Sequence, residues 1–328
     1  MILACDVGGT STRVALFDPV ADRAVMTCSI TFRSAEHSSL EAIVKEFRLR
    51  HPEPLTAACF GVAGPVSDGK CITTNLPWQV EVSKLQVVVG SGYVSLINDL
   101  VANAWGIDWL TSNDVVSLHA GRPDPTGNRA VISPGTGLGE AGLIFIDGRY
   151  RPFASEGGHS EFGPRSDTQF DLARYLERRF GRVSYESVLS GPGLVNIYTF
   201  LRNSARADEP EWFAQELKKT DPAARISEAA LNDELPICVD AMRIFLKIFG
   251  AEAGNLALKL MATGGIWLGG GIVPKIMPLI VSTPYFLEGF TAKGKLSHIV
   301  EKIPIMAIQN QHTALLGSAR YATRRGTP

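Results

Sequence analysis

The stretch Ile2-Leu3-Ala4-Cys5-Asp6-Val7-Gly8-Gly9-Thr10-Ser11-Thr12-Arg13-Val14-Ala15-Leu16-Phe17 decides the fold. An apolar run ends in an acid and two glycines, and a second apolar run follows at once. Short apolar runs bounded by a glycine turn read as two strands joined by a tight hairpin. The arrangement recurs: an apolar run over residues 130–133, the turn Gly135-Thr136-Gly137, then a second run over residues 141–146. Aligning Asp6 with Ser133 puts Gly8 over Gly135, an offset of 127 residues. Two such units predict two related halves.

Outward from the first hairpin, residues 25–32 alternate weakly and read as a third strand. Ser38-Ser39-Leu40-Glu41 opens a helix, with Ser38 and Glu41 at capping-box spacing. Leu40, Ile43, Val44 and Phe47 fall on one helical face, and Pro52 ends the pattern. Residues 57–62 and 94–97 read as buried strands. The first hundred residues thus run βββ and then alternate β and α, which predicts an α/β domain. Beyond the second hairpin, residues 170–180 and 194–201 read as helices, and residues 203–225 as a polar surface excursion. Residues 235–261 form a long helical pattern that Gly264-Gly265 should end. A short strand over 266–268, the cluster Gly269-Gly270-Gly271 and a helix begun by Pro274 follow; residues 313–321 read as a final helix.

The chain has 328 residues, which at about 150 per domain predicts roughly two domains. Hydrophobic residues make up 45% and charged residues 20%, a globular composition that excludes extended disorder. Lys and Arg total 32 against 33 Asp and Glu, so the basic excess of a nonspecific nucleic-acid binder is missing. No apolar run approaches the length of a membrane span, and the start carries no secretory signal pattern. The five cysteines, Cys5, Cys28, Cys59, Cys71 and Cys238, are odd in number and never at CxxC spacing. That argues against a disulfide framework and a thiolate zinc site, and for a reducing, cytoplasmic setting.

A glycine turn lets backbone N–H groups converge on phosphate oxygens. Gly8-Gly9, with Asp6 before it and the hydroxyls of Thr10, Ser11 and Thr12 after it, reads as such a cradle or as a plain hairpin. No GxxxxGK[ST] occurs, so there is no P-loop. Gly137-Leu138-Gly139-Glu140-Ala141-Gly142 matches GxGxxG, but a strand pattern follows instead of the helix that a dinucleotide fingerprint must open. The cluster Gly269-Gly270-Gly271 is either a tight turn or backbone flat enough to lie against a nucleobase. Asn98-Asp99 ends a buried strand, where α/β sheets gather ligands. The pair either caps the next helix or supplies a base, Asp99, and a hydroxyl ligand, Asn98. Glu156-Gly157-Gly158-His159 offers a carboxylate and an imidazole to adjacent hydroxyls, or is a surface loop. Glu186 alone reads equally as a solvated helix residue.

Seven segments stand together in register: Asp6-Val7-Gly8-Gly9-Thr10, Gly61-Val62-Ala63-Gly64-Pro65, Ile97-Asn98-Asp99, Gly135-Thr136-Gly137-Leu138-Gly139, Glu156-Gly157-Gly158-His159, Leu189-Ser190-Gly191-Pro192-Gly193-Leu194 and Gly269-Gly270-Gly271-Ile272-Val273-Pro274. In this order they resemble the bacterial-type glucokinases, over residues 2 to about 320. The resemblance implies the two-domain actin-like sugar kinase fold, a duplicated βββαβαβα core around an interdomain cleft. It places a small α/β domain at residues 1–109 plus about 312–328, and a large one at 110–311. It implies an ATP-dependent kinase making glucose 6-phosphate, the first step of glycolysis, with Mg²⁺. By resemblance Asp99 is the base at the sugar 6-hydroxyl, and Asn98, Glu156, His159 and Glu186 hold the other hydroxyls. Gly8, Gly9 and Thr10 form one phosphate loop and Gly135, Thr136 and Gly137 the second. Asp6 reaches the Mg²⁺, through water, and Gly269 and Gly270 line the adenosine pocket. Relatives in the repressor/kinase superfamily carry a cysteine-rich zinc motif after the sugar-binding His. Residues 160–167 hold no cysteine, which points to the zinc-free group, and no helix-turn-helix precedes the first strand. The resemblance also makes a homodimer the expected assembly. Another hexose or amino-sugar kinase, a polyphosphate-dependent kinase, and a sugar-binding protein without turnover are the competing readings.

Overall fold

The computed structural model describes residues 1–20, 23–73, 76–90 and 92–326. It divides into two compact units. The first comprises Met1–Asp114, Arg151–Ala154 and Asn310–Pro328; the second comprises Val115–Tyr150 and Ser155–Gln309.

The first unit holds β1 (Ile2–Val7), β2 (Ser11–Val20), β3 (Arg23–Arg33), β4 (Ala57–Val62) and β8 (Tyr93–Asn98) in one sheet of order β3-β2-β1-β4-β8. A small antiparallel sheet of β5 (Val66–Ser67), β6 (Lys70–Ile72) and β7 (Gln79–Glu81) lies between β4 and β8 in sequence. β1 pairs antiparallel with β2 and parallel with β4, and β4 pairs parallel with β8. Alternate residues of β1 go to opposite faces, as the period of two requires. Leu3, Cys5 and Val7 pack with helices α1 (Leu40–Arg50) and α2 (Val82–Val89). Ile2 and Ala4 pack with α3 (Asp99–Gly106) and the C-terminal helix Thr313–Gly326. The predicted α1 face, Leu40, Ile43, Val44 and Phe47, is fully buried. Its N-cap is Ser39, whose hydroxyl accepts from the Ala42 amide at 3.3 Å, so the expected Ser38–Glu41 box does not form: the cap lies one residue later, with Ala42 at the third helical position. Adjacent serines compete for one cap, and Ser39 has the extended backbone that role needs.

The second unit holds β9 (Val115–His119), β10 (Arg129–Pro134), β11 (Leu138–Ile146), β12 (Arg149–Ser155), β13 (Gly265–Leu268) and β14 (Ile305–Ile308), ordered β12-β11-β10-β13-β14-β9. β10 pairs antiparallel with β11 and parallel with β13, and β13 pairs parallel with β14. The run β12-β11-β10-β13-β14 therefore repeats β3-β2-β1-β4-β8 strand for strand, with β9 added antiparallel at the edge. This duplicated topology is what the 127-residue offset of the glycine turns predicts.

The helices of this unit are α4 (Asp167–Phe180), α5 (Gly191–Asn203), α6 (Glu211–Leu217), α7 (Pro222–Leu231), α8 (Pro236–Leu260), α9 (Val273–Ser282) and α10 (Tyr285–Thr291). α8 carries the core: Met242, Phe245, Leu246 and Phe249 are buried, and Phe249 meets Phe286 of α10 edge to face. It ends at Leu260, earlier than Gly264-Gly265, because Met261 itself adopts the left-handed conformation (φ 46°) and closes the helix. Residues 203–225 are not a plain excursion: they contain α6 and the start of α7. No described helix is long and apolar enough to cross a membrane.

Candidate active site

In the first unit, three adjacent parallel strands, β1, β4 and β8, end side by side. Val7 pairs with Val62, and Val62 with Asn98. Their carboxyl ends therefore present Asp6, the turn at Gly64 and the Asn98-Asp99 pair in a row, with Asp6 and Asp99 about two strand spacings, ~10 Å, apart. Asn98 is the N-cap of α3: its Oδ1 accepts from the Leu100 amide at 2.9 Å and the Val101 amide at 3.2 Å. Its Nδ2 donates to the Gly64 carbonyl at 3.2 Å, tying β8 to the β4 turn. The capping alternative thus holds for Asn98. Asp99, half-buried, is the first residue of α3, where the helix N-terminus favours negative charge. The Leu100 amide donates to its Oδ1 at 2.9 Å.

The first hairpin closes with the Gly8 amide donating to the Ser11 carbonyl at 3.0 Å. Ser34, fully buried, braces it from 26 residues away: its hydroxyl donates to the Gly8 carbonyl at 2.8 Å and lies 3.0 Å from the Thr12 hydroxyl. Its amide donates to the Thr10 carbonyl. Asp6 faces Arg13, its cross-strand partner, with Oδ2 and Nη1 3.5 Å apart. Burial pushes the Asp6 carboxyl up and Arg13 pulls it partly back. Among the described residues no group of three or more His, Cys, Asp or Glu stands ready for a metal ion. A lone carboxylate beside a glycine turn suits Mg²⁺, which is held by one or two carboxylates together with substrate phosphates.

In the second unit, the hairpin Gly135-Thr136-Gly137 closes with the Gly135 amide on the Gly137 carbonyl at 2.8 Å. The Gly135 carbonyl accepts from the Gly191 amide at 2.8 Å, docking the turn on the start of α5. Glu186 joins this hairpin to the Glu156–His159 loop. Its Oε2 accepts from the Leu138 amide at 2.9 Å, and its own amide donates to the Gly158 carbonyl at 2.9 Å. Glu186 is therefore half-buried and bound, not a solvated helix residue. Gly157–His159 form a single 3₁₀ turn, and the side chains of Glu156 and His159 are exposed. Arg182 donates to the His159 carbonyl at 2.6 Å and fixes the far end of the loop.

A cavity of about 440 Å³ opens against the second hairpin. Its wall includes Gly135 and Thr136, the first turns of α5 (Gly191, Pro192), α7 (Asp221 to Ala224) and α9 (Ile272, Lys275, Ile276), and Gly271. Three helix N-termini thus converge on one space, and each favours an anion. Ser190 caps α5 and Asp221 caps α7, whereas no side chain caps α9. The apolar part of the wall, with Leu194, Val195 and the two prolines, suits a flat base. Gly269 and Gly270 stand behind this wall: a Cβ on Gly269 would meet the Ser133 hydroxyl, and one on Gly270 (φ 83°) the Pro134 carbonyl. They let the β13 turn close on the hairpin, and Gly271 is the glycine that faces the space.

The comparisons with known proteins bear on this geometry. Residues 3–325 match the family described as Glucokinase. The chain belongs to the glucokinase family. A glucokinase of Synechocystis sp. is 40% identical over 98% of each chain, and one of Nostoc punctiforme is 38% identical over 99% of each. Among solved structures, a glucokinase from an Antarctic psychrotroph is 31% identical with a TM-score of 0.83, covering 98% of both chains. A glucokinase of the ROK family from Streptomyces griseus, solved with glucose and AMPPNP, is 21% identical with a TM-score of 0.66 and shares the fold. The two duplicated α/β units are accordingly those of the sugar kinase fold.

Proposed function

We propose that this glucokinase-family chain transfers the γ-phosphoryl group of ATP to the 6-hydroxyl of glucose, with Asp99 as the base. The observation that carries the reading is the division of labour between the units. One holds a carboxylate at a helix N-terminus, two strands along its sheet from a glycine hairpin; the other holds a second hairpin wired by Glu186 to an acid–imidazole loop. Phosphoryl transfer asks the protein for in-line positioning and charge stabilisation. In this reading the adenosine of ATP occupies the cavity of α5, α7 and α9, and its phosphates run along Gly135-Thr136-Gly137. The Gly8-Gly9-Thr10 turn supplies further backbone donors. Glu156 and His159 hold sugar hydroxyls, Asn98 adds the one Nδ2 hydrogen that its cap and the Gly64 carbonyl leave over, and Glu186 contributes its second oxygen while Oε2 holds the hairpin. Asp99 takes the proton as the 6-oxygen attacks. Mg²⁺, reached through Asp6, neutralises phosphate charge when bound with the nucleotide.

A site built to hydrogen-bond hydroxyls rejects the wrong epimer, because buried groups are then left unpaired. A coupled ADP assay over a panel of hexoses and phosphoryl donors tests the reading. It predicts turnover with glucose and ATP well above that with fructose, N-acetylated sugars or polyphosphate. Preference for another sugar or donor, or glucose binding without ADP release, would contradict it.

A further inference from the structure

β11 leaves the second hairpin with Leu138 and Glu140 on one face, two residues apart, and both are buried. The Glu156–His159 loop lies directly on that face. A Cβ on Gly158 would strike the Leu138 carbonyl, and a Cβ on Gly157 would strike the Glu140 carboxyl. The loop's two glycines thus exist at the points where it touches these two residues. Glu140 is 1% exposed and its Oε1 has no hydrogen-bond partner. The proposed phosphate and sugar contacts use none of it.

We propose that Glu140, in its neutral acid form, is the positioning residue of the sugar loop: its carboxyl is the floor under Gly157 and sets where Glu156 and His159 meet glucose. The inference rests on the sugar-kinase reading above.

The surroundings explain why the acid form is the one that fits. Glu252 on α8 is fully buried and faces Glu140 as a like charge. Its Oε1 accepts from Lys259 Nζ at 3.3 Å, and its Oε2 accepts from Asn255 Nδ2 at 2.8 Å. Tyr185 beside Glu252 bonds Asn255 through its hydroxyl, with its own ionisation pushed up by burial. Lys293 bonds the Ala251 carbonyl and Asn255, and burial with Arg165 nearby pushes it down to about 8. Glu156 and His159 are exposed. Desolvation first, then Glu252, push Glu140 up to about 8, with Lys259 opposing. A raised carboxyl is protonated below that value and ionises as pH rises through it. An anion formed beside Glu252 forces the floor apart, and the loop moves with it.

The test is the pH profile of glucose affinity, read both as KM and by calorimetric glucose binding, for the native chain, Glu140→Gln and Glu252→Gln. For the native chain, KM and Kd for glucose should rise about tenfold between about pH 7 and 9.5, with a much smaller change in kcat. Glu140→Gln, which keeps the shape of the neutral acid, should flatten that rise. Glu252→Gln removes the like charge and should move the midpoint to lower pH. Lys293 loses its own proton in the same range, but its contribution would survive in Glu140→Gln, so a flattened profile assigns the effect to Glu140. A Glu140→Gln profile parallel to the native one, or an unmoved midpoint in Glu252→Gln, overturns the proposal. Absence of glucose phosphorylation by the native chain at about pH 7 would instead defeat the reading on which it rests, while the calorimetric profiles would still decide the role of Glu140.

Discussion

Gly137 and Gly135 stand two residues apart in the same turn and face opposite demands. A Cβ at Gly137 would run into Glu186 Oε2, the acceptor of the Leu138 amide, whereas a Cβ at Gly135 meets nothing within 4 Å. Gly137→Ala should therefore push Glu186 off the hairpin, losing a charge-assisted bond to a backbone N–H, about 1.5–3 kcal/mol. The expected outcome is a clearly lower Tm for Gly137→Ala and a Tm near native for Gly135→Ala, measured by scanning calorimetry; equal values would contradict it. At this scale the sequence was legible where chemistry and turn propensity coincide, as at Asp6-Val7-Gly8-Gly9 and Asn98-Asp99. It was silent on Ser34, because a serine that braces a hairpin from 26 residues away leaves no local pattern. Glu140 was equally silent: a single acid in a strand reads as an outward-facing residue until the loop above it is in place.

Among the elements, α7 shapes the cavity proposed for the nucleotide. Asp221 accepts from the Ala223 amide at 3.0 Å and the Ala224 amide at 3.3 Å while lining that space. Asp221→Ala should cost about 0.5–2 kcal/mol of stability through the lost cap and raise KM for ATP more than KM for glucose. Urea unfolding and steady-state kinetics check both; an unchanged midpoint, or equal shifts in the two KM values, would contradict the assignment. The hairpins and the amphipathic α1 could be read from sequence because their signals lie within a dozen residues. The start of α7 could not. Its polar surroundings, residues 203–225, look like solvent-exposed chain, and only packing of α7 against α5 and α8 turns Asp221 toward the cavity. The third glycine cluster shows the same limit: sequence found Gly269-Gly270-Gly271, but only the backbone distinguishes the two that pack from the one that lines.

For the whole molecule, duplication is the organising fact. Two sheets, matching over five strands, each carry a strand, a glycine turn and an antiparallel return. The repeat was visible because both turns place glycines between two short apolar runs, a pattern that is local in the chain. What the two halves no longer share is the residue before the turn, Asp6 in one and a buried, unpartnered Ser133 in the other. In the proposed reading Asp99 of the first half is the base, and the second half holds the cavity of α5, α7 and α9 and the Glu156–His159 loop. The most direct measurement is the kinetics of Asp99→Ala beside the native chain with glucose and MgATP. The account predicts a fall in kcat of about 10²–10⁴ with glucose KM changed only a few-fold. Turnover close to native in Asp99→Ala would contradict it.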